Sequence, residues 1–278
     1  MKINLSIDEA INLLRKRTSG MEFLQKLLPV YESLMYLNKK IKAHNLEINL
    51  SQSDMIAQLQ NGIPILCNQN IKIDIEPMKV VYKDVHKISS NYFVRLTDKF
   101  VALGDLPDKN HSLWSSIMQE YFRNNKISGE TKEEKDCLNF LLVHTWRPFL
   151  RHWALDFRDW LKDIQWFKPF CPICGGRPDF SYLEKPTGAL HLLCSRCDTD
   201  WMYHRGECIF CGNEDNKTYL YYPDEKGLYR LYVCKKCLHY LKTIDCRELT
   251  EEPILAVERI TTTPMDISAI KEGYINKF

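Results

Sequence analysis

CPICGGRPDFSYLEKPTGALHLLCSRC occupies residues 171–197, and CIFCGNEDNKTYLYYPDEKGLYRLYVCKKC occupies 208–237. Four Cys-x-x-Cys pairs fall there in tandem: Cys171/Cys174, Cys194/Cys197, Cys208/Cys211 and Cys234/Cys237. Nineteen residues separate Cys174 from Cys194, and twenty-two separate Cys211 from Cys234. The first interval is that of a two-knuckle metal site and the second is slightly longer. Two cysteines three apart on a tight turn can aim both sulfurs at one cation. A second such turn, returned by a hairpin, completes a tetrahedron of thiolates. Sulfur at all four positions leaves no open coordination site, so this chemistry predicts a structural role.

The spacing also favours a pairing. Only ten residues lie between Cys197 and Cys208, whereas each longer interval closes on itself. Sequential pairing, first knuckle with second and third with fourth, is therefore preferred over a cross-braced arrangement. Zinc and iron both accept four thiolates. Gly175 and Gly212 follow the first knuckle of each pair, where glycine tolerates positive φ. Asp198 and Leu238 stand at the same place after the second knuckles, which predicts unequal knuckles.

Between the knuckles, Phe180–Leu183, Leu190–Leu193, Tyr219–Tyr222 and Tyr229–Val233 read as short strands. Pro186-Thr187-Gly188 and the Pro223–Gly227 stretch read as their turns. Each ribbon is then knuckle, hairpin, knuckle. Neither can bury an adequate core alone, and metal binding supplies roughly 10–16 kcal/mol of apparent free energy toward its folding.

Upstream, residues 1–168 read as helices. Ser6-Ile7-Asp8-Glu9 fits a capping box. Pro29 and Pro148 fall inside helical patterns and predict kinks. Ser51 or Ser53 should cap a short helix ending at Asn61-Gly62, residues 63–76 read as an extended loop, and Pro77 should open the next helix. A further helix is expected over 91–103, another over 111–123, and a long one over 131–166. The tail returns to helix, with Pro264 dividing it. The expected class is α+β: an irregular helical bundle (1–168), a first four-cysteine ribbon (169–207), a second (208–249) and a helical tail (250–278).

Composition narrows the function. The 278-residue chain carries 38 Lys+Arg against 36 Asp+Glu. Residues 169–278 hold 14 basic against 16 acidic side chains. A nucleic-acid-binding ribbon normally has a basic footprint, so that use is disfavoured. No stretch approaches the roughly 20 apolar residues that span a bilayer, and no secretory leader is recognisable at the start. Paired cysteines in a reducing cytosol point to metal rather than cystine.

Three cysteines remain: Cys67 and Cys137 are expected as buried core thiols, and a spare-ligand role for Cys246 is disfavoured because four sulfurs already close each site. Trp201, Tyr203, His204 and Arg205 lie in the segment between the ribbons. They read either as packing where two modules meet or as a recognition patch, since Trp, Tyr and Arg dominate binding hot spots. His144 and His152 lack a third ligand and read as helix–helix hydrogen bonding. No phosphate loop, nucleophile elbow or convincing carboxylate pair is present, so no catalytic residue is assigned.

Cys171-Pro172-Ile173-Cys174-Gly175-Gly176, Leu193–Cys197, Thr199-Asp200-Trp201, His204-Arg205, Cys208–Cys211 and Cys234–Asp245 together resemble the formate dehydrogenase accessory protein family, FdhE. Asp266 and Glu272-Gly273-Tyr274 are similar to that family too. The likeness covers about 165–275. It departs in the tail, where Glu258-Arg259 stands in place of a pair of acids. The resemblance implies a helical domain followed by two rubredoxin-like ribbons that hold zinc or iron. It implies a cytoplasmic, non-enzymatic maturation factor whose partner is the catalytic subunit of formate dehydrogenase. A redox role for ribbon-bound iron is the alternative, and a nucleic-acid-binding zinc ribbon the second alternative.

Overall fold

Ser6 caps the first helix as its sequence demands. Its hydroxyl accepts the Glu9 N–H at 3.2 Å, and the Glu9 carboxylate accepts the Ser6 N–H at 2.8 Å. The computed structural model describes residues 6–41, 46–67, 71–124, 131–161 and 164–275. Within them α1 (Ile7–Thr18) and α2 (Glu22–Lys40) are followed by strand β1 (Leu46–Ile48) and α3 (Gln52–Gln60). Ser51, not Ser53, caps α3. Then come β2 (Ile71–Ile73), α4 (Met78–Tyr92), α5 (Thr97–Leu103), α6 (Leu106–Lys109), α7 (His111–Asn124) and α8 (Lys132–Phe157).

Two differences from the sequence reading are local. The 63–76 segment is not only loop: Ile71–Ile73 pairs antiparallel with Leu46–Ile48. The alternation of Ile71, Ile73 and Ile75 signals this strand, but its partner is a three-residue strand too short to show a period. The helix expected over 91–103 is split. Helix α4 continues to Tyr92, a 3-10 turn takes Val94–Leu96, and α5 begins at Thr97. Helices α2 and α8 both run through their prolines. Each forgoes one backbone hydrogen bond at that point, and packing on neighbouring helices carries the element across. Cys137 is buried, but Cys67 is exposed, contrary to expectation.

Helix α8 is the spine of the helical body. It packs against α2, α4 and α5 and buries Leu141, Leu142, Trp146, Phe149 and Trp153 along its length. Leu141→Ala is expected to cost about 2–5 kcal/mol through the cavity it leaves. Chemical denaturation checks this; a change within about 0.5 kcal/mol, typical of surface sites, would contradict the central placement of α8.

The C-terminal half contains β3 (Pro178–Leu183), β4 (Leu190–Cys194), β5 (Asp200–Tyr203), β6 (Tyr219–Pro223), β7 (Tyr229–Cys234) and β8 (Tyr240–Asp245). Each ribbon therefore has three strands, the third starting just after the second knuckle. The six form one sheet in the order β5-β4-β3-β8-β7-β6. All neighbours are antiparallel except β3 and β8, which pair in parallel with Phe180 opposite Lys242 and Leu183 opposite Asp245. At this seam the buried hydroxyls of Ser181 and Thr243 lie 2.6 Å apart. The ribbons are thus fused side by side. The tail forms α9 (Leu255–Thr261) and α10 (Thr263–Lys271), and α9 packs on α1. One apolar core runs from the helices into the first ribbon, joining Trp146 and Phe149 to Ile173, Leu192 and Trp201.

Candidate metal centres

The four knuckles share one backbone design. In each, the N–H of the first cysteine donates to the carbonyl five residues on: Cys171 to Gly176 (2.8 Å), and Cys194 to Thr199, Cys208 to Asn213 and Cys234 to His239 (2.9 Å each). The residue after the second cysteine is left-handed every time. Gly175 has φ +71°, Asp198 +58°, Gly212 +68° and Leu238 +61°. Glycine reaches this region without strain, whereas aspartate and leucine do so only when the surroundings hold them. The knuckles are therefore alike in conformation although unlike in sequence, which corrects the expectation of unequal knuckles.

Sulfurs gather as sequential pairing predicts. Cys171, Cys174, Cys194 and Cys197 form one cluster, and Cys208, Cys211, Cys234 and Cys237 form another. In the first, Cys171–Cys197, Cys174–Cys194 and Cys174–Cys197 are each separated by 3.5 Å. In the second, Cys208–Cys237 is 3.6 Å and Cys211–Cys234 is 3.7 Å. A disulfide would bring sulfurs to about 2.0 Å. Four thiolates around one cation, with metal–sulfur bonds of about 2.3 Å, sit about 3.8 Å apart. The donor set thus fits a tetrahedral thiophilic ion in both places. Burial pushes the Cys171 and Cys174 thiols well above the ordinary value, so a bound cation is what would keep these two deprotonated.

The surroundings of the clusters differ. All four sulfur residues of the first are buried. The helical body grips its knuckles: Ile65 and Leu66 donate backbone N–H groups to the Pro172 and Ile173 carbonyls at 2.9 and 2.8 Å. Arg196, inside the second knuckle, donates to the Tyr121 and Phe122 carbonyls at the C-terminal end of α7. A cation there caps carbonyls of the last turn of α7 and meets the negative end of the helix dipole. Backbone N–H groups of Ile173 and Arg196 also point at Cys171 and Cys194 Sγ, each at 3.4 Å. In the second cluster Cys211 is exposed and Cys237 partly so. Asn213 Nδ2 donates to Cys234 Sγ at 3.6 Å, and Phe210 stacks on His239. A limiting chelator is therefore expected to empty the second cluster well before the first. Timed alkylation mapped by peptide mass spectrometry would follow this; labelling of Cys171 and Cys174 ahead of Cys211 would contradict it.

The tail supplies contacts that the sequence did not disclose. Arg259 of α9 donates to Asp198 Oδ1 at 2.8 Å and to the Cys194 carbonyl at 3.0 Å, and pairs with Asp179 at 2.9 Å. Asp198 also meets Arg151 of α8. Burial alone would raise the Asp198 carboxyl, but Arg151, Arg259 and Arg147 hold it down at about 2. Glu258, whose side chain is fully buried, accepts from Arg17 of α1 and from the Tyr229 hydroxyl of β7. Glu258-Arg259 is thus an internal clamp between the tail, the helices and both ribbons.

The segment between the ribbons divides. Trp201 and Tyr203 are buried on β5, with Trp201 Nε1 donating to the Lys168 carbonyl at 2.9 Å. His204 and Arg205 are exposed; His204 stacks on Phe167, and Arg205 donates to the Gly188 carbonyl. Cys246 belongs to neither sulfur cluster and packs with Phe180, Tyr182 and Leu255. Among the described residues no helix is long and apolar enough to cross a membrane.

Known proteins resemble this chain in sequence and fold. The family model described as FdhE, central domain, matches residues 170–205, the stretch that holds the first cluster. An FdhE homologue of Aquifex aeolicus is 29% identical over 92% of this chain and 85% of its own length. A homologue from Shewanella sp. strain MR-4 is 29% identical over 44% of this chain and 41% of its own. The crystal structure of the FdhE protein from Pseudomonas aeruginosa superposes with a TM-score of 0.64, covering 98% of this chain and 94% of that one. At 17% identity that superposition speaks for the fold. A near full-length relative, a family model seated on the first sulfur cluster and a shared architecture together make the chain similar to the FdhE proteins along nearly its whole length.

Proposed function

We propose that this protein is a cytoplasmic accessory factor that binds the catalytic subunit of formate dehydrogenase and assists its assembly, without catalysing a reaction itself. The observation that carries the reading is the closure of both sulfur quartets within a fold related along nearly its whole length to an FdhE homologue. Closed quartets leave a substrate no position to coordinate. Cys171, Cys174, Cys194 and Cys197 would hold one zinc or iron ion, and Cys208, Cys211, Cys234 and Cys237 the other. Their role is to brace the sheet. The exposed His204 and Arg205, beside exposed Met202, would form the accessible part of a partner-binding patch.

The test is co-purification from the native host. A tagged chain, cross-linked in cells, should enrich the catalytic subunit of formate dehydrogenase over an unrelated tagged protein. Absence of that subunit among the enriched proteins would refute the reading.

Exposure of the second cluster favours one other reading. Iron held by Cys208, Cys211, Cys234 and Cys237 would lie within reach of an external electron donor. A reversible redox wave and colour in anaerobically isolated protein would support it, and colourless, zinc-only protein would exclude it.

A further inference from the structure

A cavity of about 790 Å³ lies where α2, α8, the first ribbon and the tail helices converge. Much of its lining is apolar, including Leu34, Met35, Leu155 and Ile270. The rest is strongly charged: Arg147, Arg151, Arg158, Lys242 and Arg259 against Asp179, Asp198 and Asp266. The carboxylates are already engaged. Asp198 pairs with Arg151 and Arg259, Asp179 with Arg259, and Asp266 with Lys242.

Among the described residues Arg147 is in contact with no carboxylate, although Asp198 and Asp179 are near enough to act on it. It stands one turn before Arg151 on α8 and lies deep in the fold, its accessible remainder bordering the cavity. Among the described residues it forms no ion pair, and its one hydrogen bond runs from Nη2 to the Ser195 carbonyl at 2.5 Å. Its Nε is buried with no acceptor, as is that of Arg151. His144, a turn earlier, also lines the cavity. Burial, helped by Arg147 and Arg151, holds His144 far below its ordinary value, hence neutral. A buried guanidinium normally has a paired anion, and among the described residues no carboxylate is in ion-pair contact with this one.

We propose that this cavity binds a small amphiphilic organic anion, its carboxylate or phosphate head on the Arg147 guanidinium and its apolar body along Leu34, Met35 and Leu155. A guanidinium presents a planar fork of donors that matches either head. A largely apolar cavity of this volume, with a few placed polar groups, is typical of sites for organic molecules. An inorganic ion alone would leave the apolar part unfilled, and a cationic ligand would add to an existing excess of positive charge. The cavity borders the first sulfur cluster, for Cys197 and Asp198 line one wall, but the proposed ligand contacts neither, and the proposal stands whichever partner the chain serves.

Calorimetric titration of the full-length, metal-loaded protein tests it with octanoate, octyl phosphate, inorganic phosphate and octylamine. At least one octyl anion should bind about tenfold or more tightly than inorganic phosphate. Octylamine should give no binding, and Arg147→Met should weaken the octyl anion by about tenfold or more. The tighter of the two octyl anions identifies the head as carboxylate or phosphate. A second arm uses the unaltered chain, in case Arg147→Met disturbs the Ser195 contact. There, the bound octyl anion should protect Arg147 from phenylglyoxal, read by peptide mass spectrometry. The proposal is overturned if neither octyl anion binds at millimolar concentration, if octylamine binds as well, or if inorganic phosphate binds equally tightly. It is also overturned if Arg147 stays fully reactive with the octyl anion bound.

Discussion

Cys174→Ser is expected to prevent the C-terminal half from folding. The residue is 1% exposed, and its quartet lies in the core that also contains Trp146, Phe149 and Leu192. A structural thiolate site contributes roughly 10–16 kcal/mol of apparent binding free energy. A whole domain typically has only about 5–15 kcal/mol of net stability, so losing the first ion exceeds what the rest can offset. The variant should be recovered insoluble, or be cleaved by protease between β3 and β8. Cys211→Ser, at the exposed second cluster, should be milder: one ion lost, the outer strands β6 and β7 loosened, and the helices and first ribbon retained. Limited proteolysis with metal analysis of both variants checks this. A soluble, protease-resistant Cys174→Ser protein with two ions bound would contradict it.

Arg259→Met should be the next most damaging change. Arg259 is 11% exposed and ties α9 to Asp179, Asp198 and the Cys194 carbonyl. Removing one partner of a buried ion network strands the others, at a cost of about 3–5 kcal/mol. For a chain of this size that corresponds to a fall in Tm of roughly 10 °C. A Tm within a degree or two of the parent would show that the tail does not brace the metal loop. The same junction sets an acid limit. The Asp198 carboxyl is held at about 2, against an ordinary value of 3.8. A depressed carboxylate contributes its full stabilisation above the unfolded-state value and loses it as pH falls through the folded one. Asp198 should therefore support the junction above pH 3.8 and cease to do so near pH 2.

The two sulfur clusters were legible in the sequence because a thiolate site needs fixed spacing on a short segment. Cys171 to Cys174 and Cys194 to Cys197 carry that information within a few residues. Ser6, a serine cap at Ser51 or Ser53 and the tail break at Pro264 were legible for the same reason: caps and prolines act locally. The seam between β3 and β8 was not, because a parallel pairing across some sixty residues leaves no periodic mark on either strand. Trp201 illustrates the converse limit. An aromatic beside a histidine and an arginine reads equally as a hot spot or as core, and only the Lys168 carbonyl and the buried face of β5 decide where it points. Arg259 was legible as a departure from the family's acids, yet its meaning required Asp198, sixty-one residues away, to be seen beside it.

Native mass spectrometry of the freshly purified, full-length chain goes most directly to the central claim, that eight thiolates bind two ions which hold the sheet together. The account predicts a single dominant species carrying two zinc or iron ions, with eight cysteines protected from alkylation until the ions are removed. A folded, protease-resistant chain that carries no ion, or whose eight cysteines alkylate freely while the sheet persists, would contradict it.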